Sequence, residues 1–167
     1  MGSRPDAKRL LGIYLDDHLA VIAGGEELVN RTLRESQDER IRGFLQELLP
    51  ELRDDRAAVA ELARSLGRKP SALKQRLAWL GEKAGRLKLN GNATGYSPLS
   101  RLLELEGIAG VLGASRALWR ALAAAGTDLG RQEAAERAAR AGRRLEQAEE
   151  LRLAAAEVVF TGSGRRL

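Results

Sequence analysis

Leucine, isoleucine and alanine recur along this chain at steps of three and four, the spacing of one helical face. Leu11, Leu15, His18, Ile22, Gly25 and Val29 define a first helix over about 8–34. Ile41, Leu45, Leu48, Leu52, Asp55, Val59, Leu62 and Leu66 define a second over about 38–66. Pro50 lies inside that pattern and predicts a kink, because it removes a backbone donor and crowds the preceding turn. Gly67 and Pro70 end the second helix, and Ser71 opens a shorter one to about 88, with Leu73, Leu77, Leu80, Ala84 and Leu87 in line. The turn-rich stretch 90–96 follows.

Ser97 and Pro98 then mark a sharp helix start, with a hydroxyl for an unpaired amide and a proline where no N–H is needed. Leu102, Leu105, Ile108, Leu112, Trp119 and Leu122 carry this helix over about 97–125. Its middle is small: Gly107, Ala109, Gly110, Gly113, Ala114 and Ser115. Each interior glycine costs about 1 kcal/mol relative to alanine, which predicts either close approach of a neighbouring helix or room for a small ligand. A last helix, about 130–160, carries Ala138, Ala141, Leu145, Ala148, Arg152, Ala155 and Val159, followed by a basic tail over 161–167. No strand-like alternation and no internal repeat is visible.

The expected fold is therefore all-α and a single domain. Links 1–2 and 3–4 of the long helices are short, which makes antiparallel neighbours. The connection of about 30 residues between the second and third long helices can run the length of a bundle and carries an extra short helix. This arrangement resembles the ferritin-like superfamily, and the resemblance rests on helix order, helix length and the single crossover. It implies a four-helix bundle. In that family acids from two helices, with a Glu-x-x-His pair from each of the other two, hold a di-iron centre. Here Glu51-x-x-Asp54 and Glu146-x-x-Glu149 keep the spacing without the imidazole, and no histidine lies on the later helices. The resemblance thus implies a degenerate ligand set rather than a working oxygenase or ferroxidase centre.

Three charged residues sit on otherwise apolar lines: His18, Asp55 and Arg152. His18 and Asp55 are equally far from the first link, and Glu106 and Arg152 nearly so from the last, which predicts matched heights within each antiparallel pair. Aligning the two pairs, as the family implies, gives one charged layer of His18, Asp55, Glu106 and Arg152, flanked by Glu104. Two readings follow. In one, Arg152 forks onto Glu106 or Asp55 while His18 serves the other carboxylate, a buried ion-paired layer with no cofactor. In the other, His18, Asp55 and Glu106, helped by Glu104, Asp17 or Glu149, hold Fe, Mn or Zn.

Composition narrows the choices. The 167 residues hold no cysteine and one histidine, which excludes disulfides, thiolate metal sites and two-histidine motifs within one chain. With no Gly-rich phosphate loop either, acid–base or nucleophilic catalysis has little support. No signal-peptide pattern or membrane span is visible, so a soluble cytoplasmic protein is expected. The net charge of +5 is uneven. Residues 64–88 carry Arg64, Arg68, Lys69, Lys74, Arg76, Lys83, Arg86 and Lys88 against Glu82 alone. With Trp79 off the leucine line, Arg68, Lys69, Lys74, Arg76, Lys83, Arg86 and Lys88 form a candidate anion-binding set for nucleic acid or an anionic surface. A homodimer through the small-residue helix or the basic crossover is the other candidate partnership.

Overall fold

A computed structural model describes residues 4–68, 97–126 and 130–162. They form four long helices: α1 (Arg4–Glu35), α2 (Glu39–Ser65), α3 (Pro98–Ala125) and α4 (Arg131–Thr161). Among the described residues there is no strand, and no helix is long and apolar enough to cross a membrane. The short helix expected over 71–88, and with it Lys69, Lys74, Arg76, Trp79, Lys83, Arg86 and Lys88, lies outside the described residues, as does the tail over 163–167.

Capping fixes where the elements begin and end. Asp38 accepts from the amides of Arg40 and Ile41 and starts α2, while Ser97 accepts from the amide of Ser100 and starts α3. Gly126 adopts the left-handed conformation that closes α3. α2 runs unbroken through Pro50, whose exposed position leaves the carbonyl it cannot serve on the solvent side.

Cross-helix contacts give the directions. Arg31 meets Glu104, Leu28 faces Gly107 and Gly25 faces Val111, so α1 and α3 are antiparallel. Glu47 and Glu51 meet Arg144, and Asp54 meets Arg140 and Arg137, so α2 and α4 are antiparallel as well. Arg116 lies beside Gly142 and Glu106 beside Arg152, which sets α3 against α4 in the same sense. Asp16 with Arg68 and Glu26 with Arg56 do so for α1 and α2. Helices α2 and α3 consequently run the same way on opposite corners, and Arg68 and Ser97 stand at opposite ends of the bundle.

The core is leucine-rich on α1, α2 and α3: Leu15, Ile22, Leu45, Leu48, Leu105, Ile108, Leu112 and Leu118 are fully buried, with Trp119 the largest among them. Helix α4 differs, because its buried residues are all alanine: Ala134, Ala138, Ala141, Ala148 and Ala155. Small side chains let α3 lie close along α4, and this is the most intimate pair of the four. They cannot also reach α2, so α2 and α4 are the least closely packed neighbours.

The glycines divide the same way. A Cβ on Gly25 would stand 2.5 Å from Val111 Cγ1, and one on Gly107 would stand 2.8 Å from Leu28 Cδ2. These two glycines permit the α1–α3 approach. Gly110 and Gly113 meet nothing within 4 Å among the described residues, so close helix packing does not explain them. Gly25→Ala should therefore destabilise by about 1–2 kcal/mol despite its gain in helix propensity, because Val111 is stiff. Gly110→Ala should stabilise by about 0.5–1 kcal/mol. Urea unfolding of both variants checks this; a stabilised Gly25→Ala would show that α1 and α3 do not approach so closely.

Candidate functional site

Among the described residues, Asp55 is a buried carboxylate that accepts from three side chains. Its side chain is 6% exposed. One carboxylate oxygen, Oδ2, accepts from the indole Nε1 of Trp119 at 3.0 Å. The other, Oδ1, accepts from Arg137 Nη1 at 3.0 Å and Arg140 Nη2 at 2.6 Å. Both guanidinium groups also donate to Asp54 Oδ2, at 2.7 and 3.1 Å, so each bridges two adjacent acids. Arg137 additionally donates to Glu133, one turn away, and lies over the Trp119 ring, 5.1 Å from its centroid.

One turn further along the same seam, Arg144 forks onto Glu51 at 2.6 and 3.1 Å and reaches Glu47 at 2.9 Å. Helical spacing produces the match. Arg137, Arg140 and Arg144 follow one another by three and four residues on α4, as do Glu47, Glu51 and Asp54 in the opposite order on α2. Two antiparallel helices that keep their alanines and leucines inward must bring these rows face to face. Beneath them is a crevice of about 10 Å³, lined by Leu48, Glu51, Leu52, Asp55, Leu112, Arg140, Ala141 and Arg144. That is close to the room one water needs.

Electrostatics follow from this pairing. Burial alone would raise the Asp54 pKa, but hydrogen bonds from Arg137 and Arg140 hold the carboxyl below its usual range. Burial likewise works against the charge on Arg137, and its bonds to Asp54, Glu133 and Asp55 reverse that and raise its pKa. Hydrogen bonding to Glu51, then Glu47, raises that of Arg144.

The charged layer expected from sequence is divided by the structure. Arg152 lies twelve residues beyond Arg140 on α4, about 18 Å along the axis, so its level is not that of Asp55. Arg152 does approach Glu106, at 3.7 Å, but its hydrogen bonds go to Glu149, at 2.9 and 2.7 Å. Glu106 is 47% exposed, which makes this a surface pair rather than an interior one. Glu104 is the buried acid of that turn and accepts from Arg31 Nε at 3.2 Å. Its position four residues before Ile108 is the signal that puts it inward and Glu106 outward.

His18 is half-buried on α1, with its ring edge-on to Tyr14 at 4.5 Å between centroids. Its Nδ1 is buried without a hydrogen-bond partner among the described residues, and burial lowers its pKa. Among the described residues no three imidazole or carboxylate groups gather as an ion would require. His18, Asp55 and Glu106 are not brought together as an Fe, Mn or Zn ligand set. Of the candidate anion-binding residues, Arg68 is described, and it turns inward: it lies over Gly12 and donates through Nε and Nη2 to buried Asp16.

Other interior acids show the same pairing. Glu26 is buried on α1, and Arg56 of α2 stands 3.1 Å from its Oε1. Burial raises the Glu26 pKa, partly offset by Arg56 and Arg53. Buried Asp16, Glu26, Asp55 and Glu104 thus each meet arginine from another element. Arg137, Arg140, Arg144, Arg31 and Arg56 were not among the residues expected from sequence, because they lie in charged rows beside the apolar stripes and do not interrupt them.

Among the described residues, fold and site together define an all-α arrangement of four long helices braced across its seams by arginine–carboxylate pairs. The chain matches no protein-family model, and comparison with curated proteins and with solved structures gives no significant match.

Proposed function

We propose that this protein is a non-catalytic helical bundle of ferritin-like topology, in which ion pairs occupy the interior where relatives of that fold keep a di-iron centre. The parallel sense of α2 and α3, with Arg68 and Ser97 at opposite ends, supports the single-crossover reading. The observation that carries the proposal is the engagement of both oxygens of Asp55. Its two oxygens already accept from three donors, two of them cationic, so an incoming metal would have to take up a place beside two guanidinium charges that repel it. A carboxylate held in this way is neither a free base nor a nucleophile. What the arrangement does well is hold four rods in fixed register, the property of a scaffold or interaction module.

Elemental analysis of the purified chain, with thermal unfolding in the presence of Fe, Mn or Zn, tests this. The expected result is no stoichiometric metal and no shift in Tm on adding any of the three ions. A stoichiometric metal with a rise in Tm would establish the divalent-metal reading in its place. The reading in which residues 64–88 bind nucleic acid or an anionic surface draws no support from Arg68, which is committed to Asp16.

A further inference from the structure

The four seams of the bundle are not held by the same force. Helices α3 and α4 lie closely along one another, with alanines as the buried residues of α4. Helices α1 and α3 meet where Gly25 and Gly107 admit Val111 and Leu28. Helices α1 and α2 lie along one another more extensively than α1 and α3 do, and both bury leucines in the shared core, among them Leu15 and Leu19 on α1 and Leu45 and Leu48 on α2. Helices α2 and α4 approach one another at few backbone positions, and what spans the gap is the row of long side chains Arg137, Arg140 and Arg144 onto Asp54, Asp55, Glu51 and Glu47. Under that row the crevice reaches Leu112, which comes from the diagonally opposite helix.

We infer that the α2–α4 seam is the side on which the bundle opens, as a salt-sensitive conformational device built into the fold. Helix α4 stays on α3 and parts from α2, and the floor of Leu48, Leu52, Leu112 and Ala141 becomes accessible. The reason is the different distance dependence of the two kinds of contact. Separating α3 from α4 would expose closely packed apolar surface, which salt strengthens if anything. Separating α2 from α4 breaks partly exposed ion pairs, whose members regain water and whose attraction is screened as the Debye length falls from about 10 Å at 0.1 M salt to about 3 Å at 1 M. Asp54 and Glu47 are more than half exposed, so the outer half of the row is open to screening. Asp55 and Trp119 form the inner latch.

The absence of cysteine allows a direct test. Gln46→Cys with Glu150→Cys places exposed labels across α2 and α4, and Ala117→Cys with Ala139→Cys places them across α3 and α4. Pulsed electron paramagnetic resonance on the nitroxide-labelled full chain reads both distances. Raising NaCl from about 0.05 to 1 M should add a second, longer population across α2–α4 and none across α3–α4. Arg144→Glu should show the longer population already at low salt, and adding Glu51→Arg should restore the single short distance. A single unchanged α2–α4 distance across the salt range overturns the inference, as does lengthening of both pairs together, which is general unfolding. If Arg144→Glu fails to keep its helical circular dichroism, the salt titration of the otherwise native chain decides alone.

Discussion

Asp55→Ala is expected to lose about 3–5 kcal/mol of stability, the cost of removing one member of a buried ion pair. The carboxylate is the meeting point of Trp119, Arg137 and Arg140. Its removal leaves the indole N–H buried without an acceptor, leaves Arg140 with Asp54, and leaves Arg137 with Asp54 and Glu133. For a chain of this size the loss corresponds to a fall in Tm of roughly 6–20 °C. Asp55→Asn should recover part of it, because the amide keeps an acceptor for the indole but loses the charge. Thermal unfolding followed by circular dichroism measures both variants. A change below about 1 kcal/mol for Asp55→Ala would mean that the arginines find water as easily as they find the acid.

Trp119→Ala should be comparably severe, at about 3–5 kcal/mol, for a different reason. The side chain is 0% exposed and is the largest in the core, so truncation leaves a void that the surrounding leucines cannot fill. Trp119→Phe should cost less, since it keeps most of the volume and loses only the N–H donated to Asp55 and part of the ring under Arg137. Because Asp55 and Trp119 touch, the double variant should lose less than the two single losses together. Strict additivity in that cycle would show that the hydrogen bond at 3.0 Å does not couple them.

The helices were readable from the sequence because each long element repeats its apolar positions over many turns. The start of α3 at Ser97 and Pro98 and the end at Gly126 follow from local chemistry that no distant contact has to supply. Asp55 is as buried as its place on a leucine line demands. Heights across the bundle were harder. Glu106 and Arg152 do approach, since a short link fixes the register of α3 on α4. Nothing local fixes the two hairpins against each other, and it is there that Asp55 and Arg152 fall on separate levels. The choice between Glu104 and Glu106 turned on helical phase, where one residue is 100° of rotation. The arginine row on α4 was readable in principle from its spacing, yet its meaning depends on which helix lies opposite, and that is a tertiary fact.

The ion pairs that join the helices are made by guanidinium groups, Arg31, Arg56, Arg137, Arg140 and Arg144 among them, and Arg68 just past the end of α2 fastens onto α1 in the same way. An ammonium loses its proton near pH 10, whereas a guanidinium keeps it beyond pH 12. Alkali therefore leaves the fastenings charged at both ends. Acid does not: Asp54, held below its usual range, contributes fully above the ordinary carboxylate pKa of about 3.9 and loses that contribution as pH falls through its lower folded value. The molecule is built to tolerate base better than acid, a lopsided endurance that comes from choosing arginine over lysine.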